Sequence, residues 1–553
     1  MPTRDKWIAE LTTAEPGWLL LIVAALYVGY FAHLGTLGFV GPDEPRYAWV
    51  AREMAESGDW VTPRLYGKPW FEKPVLYYWS AALSFKLFGV NERAARLPSA
   101  VAALFATLAL AWLVWRFFGR DTAHWLLLLL PTTVGLIGFS HAASTDMIFS
   151  AMLVLTMVAA AVSVNLVPLR DGPSSRGRMQ RLALAVFGFL LGAATLAKGP
   201  AALVLTAGSV ALWALATRRW REAFRLLHPV ALLAFCATTL PWYALCAARN
   251  PEFLSVFLLE HNFARYLTPV FRHEQPIWFY APVIIAGLFP WSMLFIAGLY
   301  RMLRHPRDEV AARPDVAYLL TWAFFPVVFF SLSRSKLPGY ILPSLPMLAV
   351  FAARAATSLL QKPRGVPADI WAALVAATPL IGAGSCAWGF ERFFSTAAPA
   401  GILPFLMIAT FIGLAACLVL TVRRNRRATL LFGVVATFVL ILGAEALGLR
   451  RSDAIVSSRR AAQNMPSEAA WRSACAFRLR RGSKYALNFY LRRELPDCSL
   501  ASPQPTMAFT SPSGLRELQE GHRPFRIVDS SCLNAILVEI LPWESANAMS
   551  DRR

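Results

Sequence analysis

The chain has 553 residues, of which 57% are hydrophobic and only 16% charged, with a mean hydropathy of +0.48. Soluble proteins carry about a quarter charged residues, so this composition excludes a soluble enzyme. A formal net charge of +21 would suit a nucleic-acid partner, but most basic residues sit in short loops between apolar runs, where membrane topology explains them and no nucleic acid is expected.

Apolar runs recur from Trp18 to Gly448 and predict about thirteen spans, at 17–39, 93–116, 123–140, 146–166, 182–197, 199–217, 227–248, 277–300, 316–332, 338–359, 369–388, 401–421 and 428–448. Runs of about twenty residues can cross the roughly 30 Å hydrocarbon core. They are continuous and do not alternate, which excludes a β-barrel. The reading is an all-α polytopic membrane protein. The first run, Trp18–Phe39, is too long for a cleavable signal and has no small-x-small cleavage site, so it reads as a retained anchor. Residues 40–92 are polar and aromatic and end in "VLYYWSAALSFKLFG", which is too short to span and suits helices lying on the membrane surface.

Loop charge orients the chain. With the N-terminus cytoplasmic, the inner loops include "RFFGRDTAH", "PLRDGPSSRGRMQR", "TRRWREAFRLLH", "RMLRHPRDEVAARPD", "QKPRG" and "VRRNRRA", all rich in Lys or Arg. The alternate loops "SHAASTD", "AKGP", "SLSRSKLPG" and "ERFFSTAAPAG" carry few, as the positive-inside rule requires. An odd span count puts the tail outside, with Asp43, Glu72, Asp146, Lys198, His261 and Arg265 on the same face. Two domains follow: 1–448, transmembrane, with surface helices in 40–92, and 449–553, whose short mixed patterns suggest a small α/β domain. Of seven cysteines, Cys475, Cys498 and Cys532 lie in this outer tail, where oxidation is possible. Cys475 and Cys498 bracket a segment that can fold as a strand turning into a helix, which makes their pairing plausible. Pairing of either with Cys532 stays open.

Several outer loops carry polar groups. In "GPDEPRYAWVAREM", Pro42 and Pro45 bracket Asp43 and Glu44, and an amphipathic helix follows from Arg46 and Tyr47. Glu44 reads as a helix cap; Asp43 is the site candidate. In "GKPWFEKPVLYYW", Glu72 and Lys73 sit among aromatics, as snorkelling charges or as a cradle for an anionic lipid head group. Asp146 in "SHAASTDM" opens an apolar span, as a cap or a site acid. Lys198 in "TLAKGPAAL" stands between two apolar runs with no acid in its own loop, and a lysine at a span centre costs roughly 2.5–3.5 kcal/mol. "EHNFARYLTPVFRHEQP" adds His261 and Arg265, and "SLSRSKLPGYILPSLP" adds Arg334, Lys336 and Tyr340.

Taken together, "DEPRYAWVAREM", "GDWVTPRLYGKPWFEKPVLYYW", "SHAASTDM", "TLAKGP" and "SRSKLPGYILPSLP" resemble the bacterial branch of the protein-mannosyltransferase-like glycosyltransferases. The resemblance covers residue 17 to about residue 360 well and is closest to members that move 4-amino-4-deoxy-L-arabinose from undecaprenyl phosphate to lipid A phosphate. It implies a C-type glycosyltransferase fold with about thirteen transmembrane helices and a small periplasmic α/β C-terminal domain. It implies Asp43 and Asp146 as catalytic acids, Lys73, Arg265 and Tyr340 as ligands of the carrier phosphate, and Arg46, Tyr47 and Lys198 as further substrate-binding residues. Glu72, with His261, matches a possible divalent metal site for Zn or Mg. Trp70 stands where the family often has Tyr. The expected reaction is an inverting transfer from a polyprenyl-phosphate donor to lipid A or another envelope acceptor, by a monomer among inner-membrane lipids. The rival readings are the same fold with another lipid-linked sugar or a protein acceptor, and a lipid-linked sugar transporter. Transporters favour midplane charges and internal repeats, and neither is visible in the sequence.

Overall fold

The computed structural model describes residues 16–167, 173–258, 274–304, 313–362, 366–393, 402–443, 453, 457–499, 505–532 and 534–542. Its helices are α1 (Pro16–Tyr30), α2 (Asp43–Ser57), α3 (Leu76–Phe88), α4 (Glu92–Phe118), α5 (Arg120–Leu129), α6 (Val134–Ser140), α7 (Thr145–Ser163), α8 (Pro173–Lys198), α9 (Ala201–Thr217), α10 (Trp220–Phe224), α11 (Pro229–Arg249), α12 (Tyr280–Gly287), α13 (Ser292–Arg304), α14 (Pro314–Ser331), α15 (Leu345–Gln361), α16 (Val366–Phe393), α17 (Ile402–Val422) and α18 (Arg426–Gly443), followed in the tail by α19 (Arg459–Gln463), α20 (Glu468–Ser473), α21 (Arg481–Leu491) and α22 (Pro512–Glu520).

Among the described residues, seven helices are long and apolar enough to cross a bilayer, and nine if two bent pairs each count as one span. The bent pairs are Arg120–Thr132 with Val134–Ser140, at 61°, and Tyr280–Gly287 with Ser292–Arg304, at 120°. Three shorter apolar helices, Gly17–Tyr30, Ala201–Thr217 and Pro367–Gly382, and the apolar α17 take up the remaining runs, so every apolar run expected from the sequence contains helix. Backbone groups freed inside a membrane need protein partners. The two breaks meet each other: Val134 N donates to Phe289 O at 2.9 Å, a backbone pair, and the side chains join as Trp291 Nε1 donates to Thr132 Oγ1 at 2.8 Å.

The chain divides into two compact units that are not consecutive in sequence. The first comprises Met1–Ala32, Phe71–Leu76 and Ser99–Leu442 and holds most of the apolar helices. The second comprises His33–Trp70, Tyr77–Pro98 and Gly443–Arg553, so most of the first polar loop groups with the tail. The first apolar run was expected to be helical to residue 39; α1 stops at Tyr30 instead. Past α1, His33 has φ 57°, and a distant partner holds the chain out of helix: Gly38, now in the second unit, donates its N–H to Asp453 at 2.7 Å.

The first polar loop holds a short antiparallel pair, β1 Arg64–Leu65 and β2 Lys68–Pro69, and in the tail a four-stranded sheet has the order β3-β4-β6-β5, with β3 Cys475–Phe477, β4 Thr506–Thr510, β5 Phe525–Asp529 and β6 Ile536–Ile540. β3 runs parallel to β4; the other pairs are antiparallel. Strand alternation sends Ala476, Phe509 and Leu537 to one core with Leu487 and Leu491 of α21, and Cys475, Phe477, Ala508, Val538 and Ile540 to another with Leu518 of α22. Cys475 and Cys498 are disulfide-bonded, their Cα atoms 5.0 Å apart. Cys532 is buried as a free thiol that donates to Ser457 O at 2.9 Å, and burial raises its pKa.

Candidate active site

In the first unit, α7 begins where Ser144, in extended conformation, caps the helix by accepting from Asp146 N at 3.2 Å. The cap is therefore Ser144, and the Asp146 carboxylate is left to accept a hydrogen bond from Lys198 Nζ. Lys198 is the last residue of α8, where a helix C-terminus favours a cation. Gly199 follows at φ +83° and returns its N–H to Thr195 O at 2.7 Å, closing the turn into α9. The Lys198 ammonium also lies 5.3 Å from the ring of Phe149 and 5.3 Å from that of Tyr340.

Tyr340 comes from the 3₁₀ segment Pro338–Ser344, and its neighbour Gly339 explains how closely that segment approaches. A Cβ at Gly339 would lie 3.1 Å from Asp146 Oδ2 and 3.1 Å from the Phe139 ring, so a side chain there would press on the carboxylate. The same segment is fixed by Lys336, whose buried ammonium donates to Ser333 O at 2.6 Å and to Gln275 O at 3.0 Å, and by Tyr280 OH, which donates to Leu337 O at 3.3 Å. Asp146, Lys198 and Tyr340, far apart in sequence, thus form one cluster.

Glu72 and Lys73 belong to the same unit and pair with each other at 3.8 Å, both mostly buried. Phe71 anchors them: its ring meets Phe253 at 5.2 Å, inside a cluster with Trp242 and Phe257. Among the described residues no three His, Cys, Asp or Glu side chains converge as a metal site. Glu72 is the one member of the expected Glu72–His261 pair among the described residues, and by itself one carboxylate is fewer donors than Zn or Mg takes. His261 and Arg265 lie outside the described residues.

In the second unit, Asp43 and Arg46 pair at 2.5 Å, the aspartate side chain 58% exposed and the arginine 5%. The Arg46 guanidinium lies 5.1 Å from the Tyr47 ring, 5.4 Å from Trp70 and 5.9 Å from Tyr485, so its hydrocarbon and planar faces are covered while it reaches toward Asp43. Tyr47 is buried against Tyr77 and Tyr78. Trp70, where the family often has a phenol, contributes a ring face to Arg46. Glu44, expected to be a cap, accepts from Val40 N at 2.9 Å and receives a bidentate pair from Arg96 at 2.8 Å on each oxygen. Arg96 also donates to the carbonyls of Leu34, Leu37 and Gly38.

Sequence reasoning missed Arg96 and a second knot in this unit. Arg459 binds Asp453 at 2.7 Å and Glu92 at 3.2 Å, and Tyr490 OH donates to Glu92 at 2.9 Å. Burial, reinforced by the nearby Glu92 charge, pushes the Tyr490 phenol well above its ordinary value, so it stays a proton donor. Burial likewise raises the Tyr66 phenol, which accepts from Asn488 at 2.8 Å. The only sequence signal for these knots was charge placed beside an apolar run.

Residues 18–257 match the family described as dolichyl-phosphate-mannose-protein mannosyltransferase. An undecaprenyl phosphate-alpha-4-amino-4-deoxy-L-arabinose arabinosyl transferase of Enterobacter sp. (strain 638) is 32% identical over 60% of this chain and 58% of its own length. One from Pseudomonas paraeruginosa (strain DSM 24068 / PA7) is 35% identical over 62% of this chain and 60% of its own length. The matches thus span about three fifths of these relatives. In three dimensions, the crystal structure of ArnT from Cupriavidus metallidurans bound to undecaprenyl phosphate aligns with 95% of this chain and 98% of its own, at 25% identity and a TM-score of 0.74. The chain is a multi-pass membrane protein with the C-type glycosyltransferase fold.

Proposed function

We propose that this protein is a glycosyltransferase that moves 4-amino-4-deoxy-L-arabinose from undecaprenyl phosphate to a phosphate of lipid A, with inversion, at the periplasmic face of the inner membrane. The observation that carries the reading is the Asp146–Lys198–Tyr340 cluster in a fold that aligns with 98% of an ArnT bound to undecaprenyl phosphate. The loop charges support a periplasmic tail after Gly448, and in this reading the protein acts as a monomer with membrane lipids around it.

The chemistry follows from charge. Breaking the bond between the anomeric carbon and its phosphate passes through an oxocarbenium-like state, and negative charge grows on the departing oxygen. Lys198, Lys73 and Arg265 supply cations for that phosphate, and the Tyr340 hydroxyl supplies a hydrogen bond. Such donors lower the barrier because they bind the separated charge better than the intact donor. The acceptor phosphate is already anionic at neutral pH, so no strong base is needed. Asp146 then orients the sugar and can meet its amine, and Asp43, Arg46 and Tyr47 are the further substrate-binding residues that the resemblance implies. Attack on the face opposite the leaving phosphate inverts the centre.

Purified protein in lipid discs, given undecaprenyl-phosphate-linked aminoarabinose and lipid A, should release undecaprenyl phosphate and yield lipid A heavier by one aminopentose in mass spectrometry. Sugar moved across sealed vesicles without release of undecaprenyl phosphate would favour transport instead. Another lipid-linked sugar turning over faster would replace the aminopentose. An alkaline phosphatase fusion after Gly448 should be active; an inactive one would overturn the orientation.

A further inference from the structure

One surface of the second unit is unused by this chemistry. Trp49, Arg52, Glu53 and Glu56 of α2, with Tyr66 and Gly67, line a cavity of about 190 Å³. The Glu53 carboxylate is fixed there by two N–H donors, Trp49 Nε1 and Gly67 N, each at 2.9 Å. Among the described residues it pairs with no cation, because Arg52 binds Glu56 at 2.8 Å and stacks 5.2 Å from Trp49. A carboxylate is acceptor-only, so an occupant must bring O–H or N–H groups to it.

From this cavity a row of rings leads away. Tyr66 lies edge-on to Trp49 at 4.7 Å, and Tyr485 of α21 follows at 6.4 Å. Arg481 lies 5.4 Å from the Tyr485 ring and donates to its hydroxyl at 3.2 Å. Arg480 and Arg481 are both exposed, and among the described residues neither pairs with a carboxylate. The row therefore offers a hydrogen-bond acceptor at one end, half-buried aromatic rings in the middle, and the Arg481 guanidinium at the other, with exposed Arg480 next to it in sequence. Guanidinium forks match phosphate oxygens in shape and charge.

We propose that this row binds a phosphorylated saccharide, the head group of the glycolipid acceptor, with its hydroxyl or amide N–H groups on Glu53 and its phosphate on Arg480 and Arg481. The assignment rests on the transfer reaction proposed above, since it names that reaction's acceptor. The donor also carries a sugar on a phosphate, so the same chemistry has two sources.

Full-length protein in lipid discs is titrated by calorimetry with a water-soluble phosphorylated N-acetylglucosamine disaccharide and with its unphosphorylated form. A phosphate-linked aminopentose on a short prenyl chain is titrated separately. Glu53→Gln, which keeps the side-chain volume, should weaken both disaccharides about tenfold, the scale of one charged hydrogen bond. The Arg480→Gln/Arg481→Gln double variant should weaken only the phosphorylated disaccharide, by at least about tenfold. Both variants should raise KM for lipid A with kcat and the donor KM unchanged. Equal binding by wild type and variants would overturn the site, and losses confined to the prenyl-linked aminopentose would overturn the acceptor assignment. The expected losses in a protein that never releases undecaprenyl phosphate would uphold the site and sink the transfer reading.

Discussion

The Arg96 guanidinium of the second unit and the Lys198 ammonium of the first are both carried on apolar helices, yet their surroundings differ. Arg96 spends its donors on Glu44 and on three backbone carbonyls. Lys198 has three N–H donors, and among the described residues its partners are one carboxylate and two ring faces. A cation whose donors are consumed by fixed backbone holds a shape. In the proposed transfer, a cation held by one acid and two aromatic faces is the one that meets the charge growing on the departing phosphate. The same contrast separates Glu44, locked in a buried bidentate pair, from Asp43, which pairs with Arg46 but stays open to solvent.

If the contrast is right, damage to the two cations differs in kind. Arg96→Ala leaves the Glu44 carboxylate buried without its counter-ion, which costs about 3–5 kcal/mol. The expected outcome is a large fall in melting temperature and in yield, with folded molecules still turning over. Lys198→Met should do the reverse: a melting temperature near wild type and about 10²–10³-fold slower release of undecaprenyl phosphate, the scale seen when one preorganised donor is removed. If Lys198→Met unfolds the protein while Arg96→Ala only slows it, the comparison is broken.

Smaller effects sharpen it. The Cys475–Cys498 bridge closes a loop of sequence separation 23, so Cys475→Ser/Cys498→Ser should cost about 3 kcal/mol, read as earlier proteolysis of the tail with transfer activity retained. The smallest change concerns Asp529. Burial tends to raise its pKa, but hydrogen bonds from Ser531 and Asn464 outweigh this and hold it below the ordinary carboxylate value. A depressed folded pKa adds stability above the unfolded value of about 3.9 and loses it as pH falls through the lower folded value. Asp529→Asn should therefore lower stability slightly at neutral pH, and the gap to wild type should close in thermal melts below about pH 4.

Local signals were readable wherever one segment decides. The apolar run 146–166 became α7 and the run 428–448 became α18, because twenty apolar residues have no other way to satisfy their backbone in a membrane. The expected strand turning into a helix after Cys475 is present as β3 and α21, and it brings Cys498 back beside the strand. Boundaries shifted where a distant partner intervened, as when Gly38 bonds to Asp453 and ends the first run early. The site's polar residue types were visible, but their partners were not. Asp146 finds Lys198, and Glu44 finds Arg96, each across 52 residues of sequence.

By itself, the sequence determined that this is a membrane protein of many helices, how its loops divide by charge, and which loops carry acid, base and aromatic groups. Those properties follow from transfer free energies that each segment feels alone. Only the tertiary structure decided which charges are locked by several fixed partners and which are held by few. That choice depends on hydrogen-bond partners brought together by packing, and a carboxylate in "GPDEPRY" reads the same whether it ends in a buried bidentate pair or paired and open to solvent.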